Sequence, residues 1–285
     1  VESFNRIVTY LFSLALTPFQ GAAAIWGLLA VSIVAGIVLV YIYGLISNQA
    51  ALKRVKKRIT AGIYESVLFR HDLPTSLKAQ AGMLLGGVRY FALAIPPILV
   101  LLIPSLVILA QLNLRYGARA LNTGEHAIVT VELNSEDALF STELTSAEKG
   151  LQITPPLRDL DAQSVSWRVD TLKKPHLGEQ LNPSSISPDP VLTLTVNGAQ
   201  ADQQLFTLSQ PSILPTAKHN SPWLQLLYPG GSVPTNLRSQ VSAITIAYPE
   251  QQISVAGITI NWLLLFLLVS IISGLVASKL VGIEV

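Results

Sequence analysis

Three stretches of this chain carry no charged side chain: "GAAAIWGLLAVSIVAGIVLVYIYGLI" at 21–46, "YFALAIPPILVLLIPSLVILAQLNL" at 90–114 and "ITINWLLLFLLVSIISGLVAS" at 258–278. A helix needs about 20 apolar residues to cross the hydrocarbon core of a bilayer, so each run is long enough. Uniform apolar runs of this length are rare in soluble proteins, and hydropathy therefore predicts three transmembrane helices. Composition agrees, because charged residues are 13% of the chain against about 25% in soluble domains. The first run lacks the basic leader and small-residue cleavage site of a secretory signal, so it is expected to stay in place as a span. No cysteine is present, which excludes disulfides, thiolate metal sites and cysteine nucleophiles from this sequence.

Charge sets the expected sidedness. Residues 47–89 hold eight basic and two acidic side chains, a net of +6, with Lys53, Arg54, Lys56, Lys57 and Arg58 directly behind the first run. Residues 115–257 hold nine basic and thirteen acidic side chains, a net of −4. Positive charge near span ends is retained in the cytoplasm. The reading is a multi-pass protein of the inner (cytoplasmic) membrane, with residues 1–20 and 115–257 extracytoplasmic. The loop 47–89 and the tail 279–285 are then cytoplasmic. A nucleic-acid patch would need aromatics or a recognisable fold beside the charge, and only Tyr64 and Phe69 lie near. The five basic residues are therefore assigned to orientation and to contact with the lipid bilayer, its anionic headgroups or a partner. A basic residue at such a surface contributes about 1 kcal/mol.

The segments between the spans have their own periodicities. In 1–20, Phe4, Ile7, Val8, Leu11 and Leu14 recur at helical spacing opposite Asn5, Arg6, Thr9 and Ser13, the pattern of an amphipathic interfacial helix. Within 47–89, Ala51, Val55, Ile59, Ile63 and Val67 recur every four residues, widened by Leu52 and Leu68. Asp72 and Pro74 then suit a turn and a new helix start. The second arm sets Leu77, Ala81, Leu84, Leu85 and Val88 on one face. A cytoplasmic helical hairpin is expected, with its two stripes packed on each other. From 115 to 257 the pattern becomes alternation, in 126–133, 164–170, 191–197, 205–209 and 241–248. Five or more such segments predict an all-β domain, read as an immunoglobulin-like sandwich.

Few residues invite chemistry. The histidines (His71, His126, His176 and His219) are scattered without ligand spacing, so no metal site is expected. Asp159 and Asp161 lack the further oxygen ligands of a calcium loop and read as a solvated turn. "YPGGSVP" at 228–234 reads as a wide turn, and no nucleotide, hydrolase or metalloprotease motif occurs. No cofactor is expected. The span cores lack ionisable groups, which disfavours proton or ion relays. Pro96, Pro97 and Pro104 in the second span are expected to kink it. Ser32 and Gly36, and Ser270, Gly274 and Ser278, repeat at every fourth residue. Such small faces allow close helix packing, within the chain or against a partner subunit.

The order of elements carries a resemblance. "FNRIVTYLFSLALTPF" precedes a span, "SNQAALKRVKKRITAGIYESVLFRHDLPTSLKAQ" forms a basic hairpin, and a proline-rich second span follows. This arrangement resembles the YidC-type membrane insertase superfamily over roughly the first 115 residues and the last span. The resemblance implies an insertase-like role in a membrane complex. The leading expectation is a non-enzymatic accessory subunit or assembly factor. The alternative is a ligand-sensing or binding protein whose β domain is the receptor.

Overall fold

The computed structural model describes residues 1–19, 24–69, 71–147, 150–171, 190–205, 211–255 and 257–284. The expected strand at 205–209 falls outside them beyond Leu205, as does His176. The chain forms two units, Val1–Ala24 with Leu109–Trp262, and Ile25–Ile108 with Leu263–Val285.

The second unit is helical. Helix α1 (Glu2–Leu16) belongs to the first unit; α2 (Ala24–Ile46), α3 (Gln49–Leu68) and most of α4 (Leu73–Tyr116) build the second. Asn48 starts α3 by accepting the Ala51 amide on Oδ1 at 3.0 Å, which satisfies one of the donors a helix start leaves open. Pro74 lies in the first turn of α4, where its missing N–H costs no helical bond. From there α4 runs unbroken for 44 residues through Pro96, Pro97 and Pro104. At 1.5 Å per residue that is roughly 66 Å, about twice the ~30 Å hydrocarbon core. One helix thus serves as both the second hairpin arm and the second apolar run.

By length and composition, three helices can cross a membrane: Ile25–Ile46 of α2, Leu73–Tyr116 and Trp262–Val281. The last, α7 (Trp262–Val281), starts later than the third apolar run. Residues Ile258–Asn261 are instead strand β11, paired with β10 (Gln252–Val255) in the register Ile253–Ile260. Gly257 in the intervening connection takes φ 83°, a conformation glycine adopts without steric cost. The boundaries at 257 and 258 therefore move to 261 and 262, because the apolar run continues from strand into helix with no breaker between them.

The first unit is β-rich. Strand β1 (His126–Leu133) lies between β5 (Ser164–Thr171) and β9 (Val241–Ala247), antiparallel to both, pairing Val129 with Trp167 and with Ile246. The sheet extends outward through β3 (Leu151–Ile153) and β4 (Leu157–Asp159) on β5, and β8 (Ala217–His219) on β9. A second antiparallel sheet runs β2 (Thr142–Ser146), β6 (Val191–Val196), β7 (Ala199–Gln204). Alternation places Val129, Val131, Val165, Trp167, Val169 and Ile246 on one inner face and Leu144, Leu192, Leu194 and Val196 on the other. All ten belong to one buried cluster, so the two sheets share a core. Short helices α5 (Asp137–Ser141) and α6 (Pro222–Leu227) complete the unit.

The loop joining α4 to β1 is held by an ion pair. Arg119 donates from Nη1 and Nη2 to the two Glu125 oxygens at 2.7 and 2.8 Å, and the Asn122 amide donates to Oε2 at 2.9 Å. The Arg119 guanidinium and then this amide hold the Glu125 carboxyl at about 2 rather than 4.5. The ionised folded form therefore contributes stability that is complete above pH 4.5 and is lost as pH falls through about 2. Glu125→Gln is expected to lower the melting temperature at pH 7, the difference from wild type vanishing near pH 2. Tryptophan-fluorescence melting across that window checks it; a constant difference at every pH would exclude the assignment.

Candidate functional site

The basic hairpin is the most strongly charged feature, and its charges separate into two groups. On one side, Lys56 Nζ pairs with Glu284 Oε2 at 2.6 Å, and Lys53 Nζ lies 3.5 Å from the Gly282 carbonyl oxygen. The hydrogen bond from Lys56 lowers the Glu284 pKa, and the same bond raises that of Lys56. Gln49 extends this contact by accepting the Glu284 amide on Oε1 at 2.7 Å. The C-terminal tail thus lies along the first turns of α3. The pair is largely exposed and contributes little to stability; its effect is to hold Lys56 toward Glu284.

Arg54 and Arg58 belong to the other group. Four residues apart on α3, they share a face and line a groove of about 270 Å³ with Arg89 of α4. Gly82 and Gly86 line the groove from the α4 side. Arg54 Nε donates to the Ala50 carbonyl at 3.2 Å, which leaves its two Nη groups for other acceptors. Among the described residues no carboxylate lies within ion-pair distance of Arg54, Arg58 or Arg89. Lys57 is exposed and does not line the groove.

The arms meet through a face that differs from the expected one. A Cβ at Gly62 would lie 2.7 Å from Met83 Cγ, and one at Gly86 would lie 2.8 Å from Ile59 Cγ1. Leu52, Val55, Gly62, Ala79 and Gly86 are buried. The anticipated second stripe is turned away: Leu77, Leu84, Leu85 and Val88 are all exposed. The first stripe is buried only near its start, since Ile63 and Val67 are exposed as well. Small residues let the arms approach closely, so the large apolar residues of α4 are left outside. At the turn, Leu68 and Leu73 keep 75% and 72% of their surface accessible, with Val67 and Leu77 beside them.

The small-residue positions of the apolar helices come together in part. Gly36 of α2 faces the Ser270 carbonyl oxygen and Ser273 Oγ of α7 so closely that a Cβ there would overlap both. A Cβ at Gly274 would lie 3.0 Å from Val40 Cγ2 and 3.3 Å from the Gly36 carbonyl oxygen. The flanking serines bond within their own helices, Ser32 Oγ to Leu28 O at 2.7 Å, Ser270 Oγ to Leu267 O at 3.1 Å and Ser278 Oγ to Leu275 O at 2.9 Å.

In the first unit, Arg115 is one of the nine basic residues of 115–257 and lies at the end of α4. The side chain is 8% exposed. Its Nη1 donates to the Gln111 carbonyl and Oε1 at 3.0 and 2.9 Å, and its Nη2 to the Thr9 carbonyl and Ser13 Oγ at 3.0 and 2.9 Å. The guanidinium carbon lies 5.8 Å from the Phe12 ring centroid, within reach of a cation–π attraction. Further along α1, Asn5 Nδ2 donates to the Gln225 carbonyl at 2.6 Å and Arg238 Nη2 to Glu2 Oε1 at 2.9 Å. The polar side of α1 is therefore engaged by protein, while Phe4, Ile7, Tyr10, Leu11 and Leu14 are exposed.

Among the described residues the remaining candidates form no site. Asp159 Oδ1 accepts the Ala162 amide at 3.0 Å, a local turn. His219, whose pKa burial lowers, meets Tyr228 with ring centroids 5.1 Å apart and the planes tilted by 48°. No cluster of metal-ligating side chains occurs among the described residues. The chain matches no family model, no curated protein and no solved structure.

Proposed function

We propose that this chain is a three-span inner-membrane protein that acts without catalysis, as an accessory subunit or assembly factor of a larger membrane complex. In this reading α1 lies in the outer interface with its apolar side toward lipid, and the β-rich unit is an extracytoplasmic immunoglobulin-like sandwich. The hairpin is cytoplasmic. The shared core of the two antiparallel sheets supports the sandwich, and the net charges of +6 and −4 on the two loops support the sidedness. The order of helix, span, basic hairpin and span supports an insertase-like variant of the same role.

The observation that carries the partner is the apolar turn of the hairpin. Because α4 is unbroken, Leu77 stands roughly 20 Å along its axis from Tyr90, and Leu73 roughly 25 Å. Lipid at the end of the span can cover Val88 and Leu85 but cannot reach that far. Exposed apolar side chains clustered at such a place mark a protein contact. An apolar helical face of a partner subunit is the matching occupant. In mild detergent the wild-type chain is expected to co-purify with a stoichiometric partner. The double substitution Leu68→Asp and Leu77→Asp should release that partner while leaving the tryptophan-fluorescence melt unchanged. Isolation of the wild type as a free monomer would sink the reading.

A second reading, a ligand-binding module, rests on a groove of about 260 Å³ within the first unit, lined by Glu2, Asn5, Arg6, Thr9, Gln225 and Ser232 among others. It places a polar ligand between α1 and the β-rich region.

A further inference from the structure

We propose that Arg54, Arg58 and Arg89 form a binding site for one phosphate group, set between the two arms of the hairpin. The basic cluster has two parts with different chemistry. The lysines Lys53 and Lys56 meet the C-terminal tail, and the arginines line the groove. A guanidinium presents a planar fork of N–H donors that matches two phosphate oxygens, which a lysine ammonium cannot do. Two of the forks come from one face of α3 and the third from α4, so the site exists only when the hairpin is closed. Gly82 leaves open the space that a side chain on α4 would fill, and the contact of Gly86 with Ile59 brings the arms close enough to form the groove. Close approach of the arms brings three like charges to one groove, and no carboxylate among the described residues neutralises them. A tetrahedral dianion or monoanion accepting from all three offsets that repulsion. The volume of about 270 Å³ is far above the roughly 30 Å³ share of one water, so the anion fits with part of its hydration.

Two sources supply this chemistry, a phospholipid headgroup and a soluble phosphate. Arg89 immediately precedes the apolar part of α4, which puts the groove at headgroup depth if the hairpin lies where we propose. The lipid source rests on that placement; the anion site rests only on the hairpin fold.

The full chain, purified in neutral detergent, is tested with inorganic phosphate by calorimetry. In parallel it is reconstituted in vesicles of equal parts phosphatidylglycerol and phosphatidylcholine, and native mass spectrometry counts the anionic lipid retained. Wild type is expected to bind one equivalent. Arg89→Gln and Arg58→Gln should each weaken binding about ten-fold, the loss of one charge-assisted contact. Arg89→Lys should fall between, because charge remains without the fork. Lys57→Gln removes the same charge outside the groove and should change binding less than about two-fold, consistent with diffuse attraction alone. Saturation by phosphate alone identifies a soluble anion, and retention of lipid without phosphate binding identifies the headgroup. Equal losses in Arg89→Gln and Lys57→Gln, or no binding of either probe by wild type, would overturn the site. Isolation of the wild type without a partner, with anion binding intact, would count against the accessory-subunit reading alone.

Discussion

Arg115→Met is expected to release α1 from the rest of its unit and to be among the most damaging single substitutions in the chain. The guanidinium is the shared donor for four acceptors, two on α1 (the Thr9 carbonyl and Ser13 Oγ) and two on Gln111. Gln111 is itself 1% exposed and donates from Nε2 to Thr9 Oγ1 at 3.0 Å. Methionine matches much of the apolar stem but removes the charged donor and leaves the buried Gln111 Oε1 without its partner, while the Thr9 carbonyl keeps its bond from Ser13 Oγ at 2.8 Å. A hydrogen bond to a charged group contributes about 1.5–3 kcal/mol, and an orphaned acceptor costs about 1–3 kcal/mol. Allowing for partial relaxation, docking of α1 should weaken by about 3 kcal/mol. A cysteine placed at Leu16, which is 7% exposed, would be the sole thiol in a chain with none. Its maleimide labelling should then accelerate on the order of 100-fold in the Arg115→Met background. Arg115→Lys should fall between, since a lysine can reach some of the acceptors but not in the fork geometry. Unchanged labelling would mean that the contacts of Glu2, Asn5 and Thr9 hold the helix without Arg115.

No pattern in the sequence announces that role. Arg115 directly follows an apolar run, where basic residues are common as orientation signals, and its partners at Thr9 and Ser13 lie about a hundred residues upstream. The apolar face of α1, by contrast, was legible from spacing alone, because five residues on one side of a helix leave few other arrangements. The same contrast runs through the β-rich unit. Strands β1, β5 and β6 have strict alternation around buried Val, Leu and Trp, β9 departs from it only where Ala243 and Ile244 are both buried, and the limits of all four agree with the alternating segments to within a residue or so. Strand β7, "AQADQQ", has too few apolar residues to show a period; among the described residues it lies at the edge of its sheet, beside β6. Strand β11 was hidden for the opposite reason: "ITIN" merges into the apolar residues of α7.

The hairpin shows where residue size misleads. Reading a core from Leu, Ile and Val puts Leu77, Leu84, Leu85 and Val88 inside. The arms instead meet where a glycine on one faces Ile59 or Met83 on the other. Close approach through small residues gains more contact per turn than bulky stripes held apart, and it leaves the bulky stripe available to another surface. Arg89 belongs to the same lesson. It counted toward the loop charge like any other basic residue, and only the register of Gly86 against Ile59 brings it level with Arg54 and Arg58.

Gly36→Leu is expected to separate α2 from α7. At most helical positions in an apolar core, overpacking by one side chain is relieved by rotating a neighbour. Here the obstacle includes the Ser270 backbone carbonyl, which cannot turn aside without breaking its own helix, so the whole of α7 must move. Overpacking a tight contact costs about 1–3 kcal/mol, and a leucine against backbone belongs at the upper end. In the membrane placement proposed above, lipid gives no hydrophobic return on bringing helices together, so close packing supplies most of their attraction and its loss is not offset elsewhere. Gly274→Ala should be milder, because its methyl would meet Val40 Cγ2 at 3.0 Å, and that flexible end can shift by a few tenths of an ångström. A cysteine pair at Val40 and Gly274 in the otherwise thiol-free chain reports the contact directly. It should oxidise to a disulfide in the wild-type background, fall on the order of 100-fold in rate with Gly36→Leu, and change little when Ser278 becomes alanine. Efficient cross-linking in the Gly36→Leu background would show that α2 and α7 are held together by something other than their small faces. An intermolecular disulfide in place of the intramolecular one would assign those faces to contact between chains.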